Sequence, residues 1–142
     1  MSHLKYNVYE GAGEFARDHL GYNQVVRVGD RVEISGQGGW IWQNNTLDFS
    51  DDVLEQIDQA FENVDKALQA GGSKGWEQVF RVNSYHLQIT PEVTKRMSEN
   101  YKKWMPNHKP IWTQIGVKEL GAPNMAVEIE VVAHDPEGVS KA

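Results

Sequence analysis

An α+β fold, one sheet with two helices packed on the same face, is the architecture that this sequence predicts. Three observations carry it: a glycine-led hairpin signal, two stretches with apolar residues at helical spacing, and β-rich runs on both sides of each stretch. The 142 residues are read as a single domain, 1–142, with residues 135–142 as a loose tail.

The first signal is QVVRVGDRVEIS, Gln24 to Ser35, two β-rich runs about Gly29-Asp30, a two-residue connection suited to antiparallel neighbours. From Ser50 the period changes. Val53, Leu54, Ile57, Ala60, Phe61, Val64 and Leu68 recur as one helical stripe, with Ser50 expected as N-cap and Gly71-Gly72 as the stop. Trp76 to Leu87 is rich in Val, Phe and Tyr and reads as a strand. Thr90-Pro91 opens a second helix with its proline at the first position, where the missing N–H costs nothing; Val93, Met97, Tyr101 and Trp104 form its stripe and Pro106 ends it. Ile111 to Val117 and Ala126 to His134 are two further strands.

Period-two alternation assigns faces to the last two strands. We expect Ile111, Thr113, Ile115 and Val117 beneath the helices and Trp112, Gln114 and Gly116 on the helix-free face. In the last strand Val127, Ile129, Val131 and Ala133 point to the core, and Glu128, Glu130, Val132 and His134 point away. Trp40 and Trp42 flank Ile41 and share a side, either walling a cleft or packing against another subunit. A helix-free face of this mixture is solvated or closed by another chain, with clefts at the joints.

Composition excludes several classes. The formal net charge is −6, and cations cluster only at Lys95-Arg96 and Lys102-Lys103, so a nucleic-acid partner is not expected. There is no cysteine, hence no disulfide or thiolate chemistry. No apolar stretch approaches the ~18 residues of a membrane span, so we expect a soluble, cytoplasmic protein with no membrane partner. The histidines show no ligand spacing and HExxH and GxSxG are absent; no metal and no cofactor are expected. Gly36-Gln37-Gly38-Gly39 lacks the Lys-Ser/Thr of a phosphate loop.

Read in order, Gly21-Tyr22-Asn23-Gln24-Val25, Val32-Glu33-Ile34-Ser35-Gly36-Gln37, Gln59 to Val64, Ala70-Gly71-Gly72, and Pro110 to Leu120 followed by Val127-Glu128-Ile129 resemble the RidA/YjgF family, also called L-PSP endoribonuclease-like. The resemblance implies a chorismate-mutase-like homotrimer with a small-molecule cleft at each subunit interface. In members that hydrolyse 2-imino acids, an arginine binds the substrate carboxylate and the glutamate of the Val-Glu-Ile strand activates water. Here the glutamate position is Glu128 and the arginine position is Trp112, which resembles a divergent, YjgH-like branch. An indole offers one N–H where guanidinium offers a charged fork, a loss of ~2 kcal/mol or more in a shielded cleft.

The resemblance thus marks Glu128 as the candidate catalytic residue and Tyr22, Ser35, Gly36, Gln37, Trp112 and Thr113 as candidate substrate contacts. Trp112 stands equally as ligand platform or interface filler, and Ser35 and Gln37 have structural alternatives. Glu128 and Glu130 at i, i+2 look like a carboxylate pair, but that spacing arises freely in half-exposed strands and is set aside. The expected activity is hydrolytic deamination of an imine or enamine, not 2-aminoacrylate; the alternatives are a non-catalytic metabolite-binding trimer and, on the family's inherited label, a ribonuclease.

Overall fold

The structure is a computed structural model and describes residues 1–141. Among these, the sheet runs in the order β1 (Lys5–Asn7), β2 (Val25–Val28), β3 (Arg31–Ile34), β9 (Val127–His134), β7 (Val79–His86), β8 (Ile111–Gly116), with β4 (Gln37–Gly38) also paired to β9. Only β7 and β8 are parallel neighbours; the other pairs are antiparallel. The helices α2 (Val53–Ala70) and α3 (Pro91–Trp104) lie on one face, joined by a short N-terminal helix, α1 (Ala12–Phe15), that continues as a π turn over Ala16–Leu20. That element leaves little trace in the sequence: its only buried residues are Ala12, Gly13 and Ala16, too small to print a stripe.

The expected hairpin is present, with Val28 opposite Arg31 across Gly29-Asp30. A second hairpin, β5 (Trp40–Gln43) with β6 (Thr46–Phe49), turns at Asn44-Asn45, both at positive φ. Asparagine tolerates that backbone where most side chains do not.

The α2 stripe is buried as read, with Ile57, Ala60, Phe61, Val64 and Leu68 at the centre of the core. Its N-cap is Asp52, not Ser50: the Asp52 carboxylate accepts from Leu54 N (2.8 Å), while Ser50 Oγ accepts from Asp52 N one step earlier. Gly72 takes φ 86° past the helix end, as expected. At α3, Thr90 Oγ1 accepts from Val93 N (3.1 Å), with Pro91 in the first turn. Trp76 lies not in a strand but in a 3-10 turn, Gly75–Gln78, its ring stacked on Phe61 and its indole N–H donated to Phe61 O (2.9 Å).

Two expectations are corrected. The C-terminal stretch is not loose from its first residue: Asp135 is buried and accepts from Arg27 (2.6 Å) and Gln78 (3.0 Å), and a 3-10 turn follows over Glu137–Lys141. Ala142 lies outside the described residues. The faces of β8 are inverted. Trp112 donates its indole N–H to buried Ser84 (2.9 Å) and meets Tyr101 of α3 edge to face at 5.0 Å, and Gln114 accepts from Thr94 of α3. Ile111 and Ile115 are instead 57% and 39% exposed on the helix-free face. All of these side chains are large or amphipathic, so alternation defined two faces without saying which one met the helices.

Among the described residues, no helix is long and apolar enough to cross a membrane.

Candidate functional site

The helix-free face is a lattice set by strand register. Tyr85 of β7 stands opposite Glu128 of β9 on one side and Ile115 of β8 on the other; Asn83 stands between Glu130 and Thr113; Arg81 is beside Val132, which faces Glu33 of β3. Glu128 therefore occupies one end of an uncovered surface whose β8 border is apolar.

Two backbone features fix Glu128. Its strand partner in β4 is Gly38, and its side chain lies over Gly36, where a β-carbon would fall inside the carboxyl group, 2.7 Å from Cδ and closer still to Oε1. Gly36 thus admits the carboxylate itself. No donor among the described residues hydrogen-bonds Glu128. Burial, and secondarily the negative charge of Glu130, raise the Glu128 carboxyl above the ordinary glutamate value.

Its neighbour is held differently. Glu130 Oε1 accepts the Tyr85 hydroxyl in a short hydrogen bond and Asn83 Nδ2 at 3.3 Å. Hydrogen bonding to Glu130, with some burial, pushes the Tyr85 phenol up to about 12. Tyr85 and Asn83 are not among the residues that the family resemblance marks. Their signal was present in the period-two pattern of VNSYH, which places both on the Glu128 face.

Tyr22 and Ser35 meet in a shallow groove of about 380 Å³ that also includes Tyr6, Asn23 and Glu33. The Ser35 hydroxyl donates to Asn23 O (2.7 Å), which leaves its oxygen free to accept. Ser35 precedes Gly36, over which the Glu128 side chain lies, but Glu128 itself does not line the groove. Thr113 is exposed on the same face, two strands from Glu130.

Gln37 and Trp112 do not join this group. Gln37 is fully buried on the helix side: its amide donates to Gln24 Oε1 (2.7 Å) and Ser35 O (3.0 Å), and its oxygen accepts from Tyr9 (2.8 Å), which in turn accepts from Trp40 Nε1 (3.0 Å). Its hydrogen-bonding capacity is spent on tying the N-terminal segment to β4. Trp112 borders a separate cavity of about 690 Å³ under the end of α3, with Tyr101, Met105 and Pro110. Trp40 and Trp42 wall a groove of about 1030 Å³ against α2 and the N-terminal segment. Neither cavity includes Glu128.

Among the described residues no cluster of three or more histidine, aspartate or glutamate side chains is placed to hold a metal. The uncovered face supplies one carboxyl without a donor among the described residues, whose affinity for a proton is raised, one carboxyl held by two donors, and hydroxyl groups in a neighbouring groove. That set can activate water and move a proton.

Fold and face define a class: an α+β protein with helices on one side of its sheet and carboxylates on the other, beside an exposed apolar strand. The chain belongs to the Endoribonuclease L-PSP family, whose profile matches residues 16–135, the RidA/YjgF grouping that the sequence resembles. It is 30% identical over 113 residues to a 2-iminobutanoate/2-iminopropanoate deaminase from Dermatophagoides farinae, covering 78% of this chain and 83% of that one. Among solved structures it is similar to protein YjgH (25% identity, TM-score 0.78, 96% of this chain and 99% of that one). It also resembles in fold the YjgF gene product of E. coli (21% identity, TM-score 0.76, 92% and 98%).

Proposed function

We propose that this protein hydrolyses a C=N bond of a small imine or enamine, with Glu128 delivering the attacking water, in a cleft completed when further copies, three in all, cover the helix-free face. Glu128 carries the reading: it is a carboxyl on that face without a donor among the described residues, seated over a glycine, with a raised affinity for its proton. In its ionised form a carboxylate of that kind takes a proton from water as the C–O bond forms and returns it to the departing nitrogen. Ser35, next in the chain to Gly36, and Tyr22 in the same groove as Ser35 are the hydroxyls we assign to orient substrate. The deaminase name of the mite relative supports the reaction class.

We assign the chain to the YjgH-like branch on the family resemblance, which puts Trp112 at the arginine position. Its indole is turned under α3, so it offers no cation to a carboxylate beside Glu128. The nearest strand cation on the open face, Arg81, is four positions along the lattice, ~13 Å at 3.3 Å per residue. Carboxylate-bearing imines are therefore poor substrates.

The test compares imines released in situ by an amine oxidase with 2-imino acids released by an amino-acid oxidase. Accelerated hydrolysis of the carboxylate-free imines, abolished in Glu128→Gln, is the expected result. Rates at the spontaneous level for every imine would refute catalysis and leave a binding role, detected as saturable fluorescence quenching without product. RNA left intact at low salt is expected for a chain of net charge −6.

A further inference from the structure

Glu128 and Glu130 project from the same face of β9 at i, i+2, in unequal surroundings. Two donors, the Tyr85 hydroxyl and the Asn83 amide, converge on Glu130 Oε1, whereas no described donor reaches Glu128, whose side chain is pressed onto Gly36. Tyr85 is the direct strand partner of Glu128, yet its hydroxyl crosses the diagonal to Glu130. When two carboxyls share a site, the anion settles where the donors are and the proton where they are missing.

We propose that Glu130 is a positioning residue: clamped by Tyr85 and Asn83, it carries the fixed negative charge of the pair and leaves Glu128 as the member that takes up and returns the proton. This rests on the reading of Glu128 as the working carboxyl and adds the device that sets its protonation. The other groups facing the pair do not replace it. On β7, Arg81 lies two positions beyond Asn83. Glu33 and Arg31 of β3 line a small cavity of about 220 Å³ with Arg81, Asn83 and Glu130, but neither arginine is hydrogen-bonded or ion-paired to Glu130 or Glu128. The open face of β8 presents only Ile111, Thr113 and Ile115, and β4 adds a glycine; Tyr22, at the groove, makes no hydrogen bond to either carboxyl. The asymmetry also separates the roles: a substrate nitrogen that gains positive charge is drawn to anionic Glu130 while Glu128 exchanges the proton.

Carbon-13 NMR of the glutamate side-chain carboxyls tests this in the intact protein, without a substrate. The step that disappears in Glu128→Gln identifies Glu128. In Glu130→Gln its midpoint is expected to fall toward the ordinary glutamate range, because the neighbouring charge is gone. In Tyr85→Phe, which removes only a hydroxyl, the proton is shared, and one pH step is expected at both carboxyl carbons. A Glu128 midpoint unchanged in Glu130→Gln, or a step confined to Glu128 in Tyr85→Phe, would overturn the inference. Either variant suffices should the other fail to fold. Turnover assays of the same variants stand apart: loss of activity in Glu128→Gln with no coupling between the two carboxyls sinks only this inference, whereas coupling without Glu128-dependent turnover sinks only the catalytic reading.

Discussion

The Glu128 carboxylate occupies the space that a side chain on Gly36 would need. The relation makes Gly36→Ala a probe of position and not of fold. The clash falls on the far end of a flexible side chain, which can rotate at a cost of about 1 kcal/mol. We expect a melting temperature within a few degrees of wild type and imine hydrolysis reduced to the level of Glu128→Gln.

The raised proton affinity of Glu128 has a consequence for stability. The folded chain holds this proton to a higher pH than the unfolded chain does, so ionising Glu128 in the fold costs stability as pH rises through its titration. Glu128→Gln is therefore expected to be more stable than wild type at pH 8, with the difference closing at acid pH. Denaturant unfolding at both pH values checks the sign.

His86 acts in the opposite direction. Its ring is fully buried, with Nε2 2.8 Å from Ser84 Oγ and Nδ1 without a partner among the described residues. Burial lowers it from 6.5 to about 4. Between those values the unfolded chain takes up a proton that the folded chain refuses, so stability is full above about 6.5 and falls as pH drops toward 4, by up to about 3 kcal/mol. His86→Leu should flatten this acid limb in unfolding experiments; an unchanged limb would assign it to other groups.

Trp112 is expected to matter to packing. Trp112→Phe keeps the contact with Tyr101 and loses the bond to Ser84, for a cost of about 1–2 kcal/mol in unfolding free energy. The Glu128 carboxyl step should stay in place, since the two side chains leave opposite faces of the sheet. A moved step would mean that they share a site.

Much of the fold was legible because strong local signals agreed with tertiary packing. The α2 stripe, the Thr90-Pro91 helix start and the Gly29-Asp30 turn each have a local cause, and all three are found. The phase of β8 was not legible. Ile111 and Ile115 are as apolar as core residues, and only the indole bond to Ser84 and the Tyr101 contact decide which face turns inward. At the site, Glu128 could be read from its strand and Gly36 from its neighbours, but the contact between them depends on β4 joining β9 across ninety residues of chain. Gln37 was drawn into the candidate site by its place in the motif, whereas its three hydrogen bonds lie on the helix side.

The proposed cleft requires that identical chains cover the face bearing Glu128, Ile111 and Ile115. Sedimentation equilibrium at micromolar concentration measures this directly. Three times the chain mass is expected, falling toward the single-chain mass when Ile115 is replaced by aspartate. A wild-type protein that sediments as a single chain would contradict it.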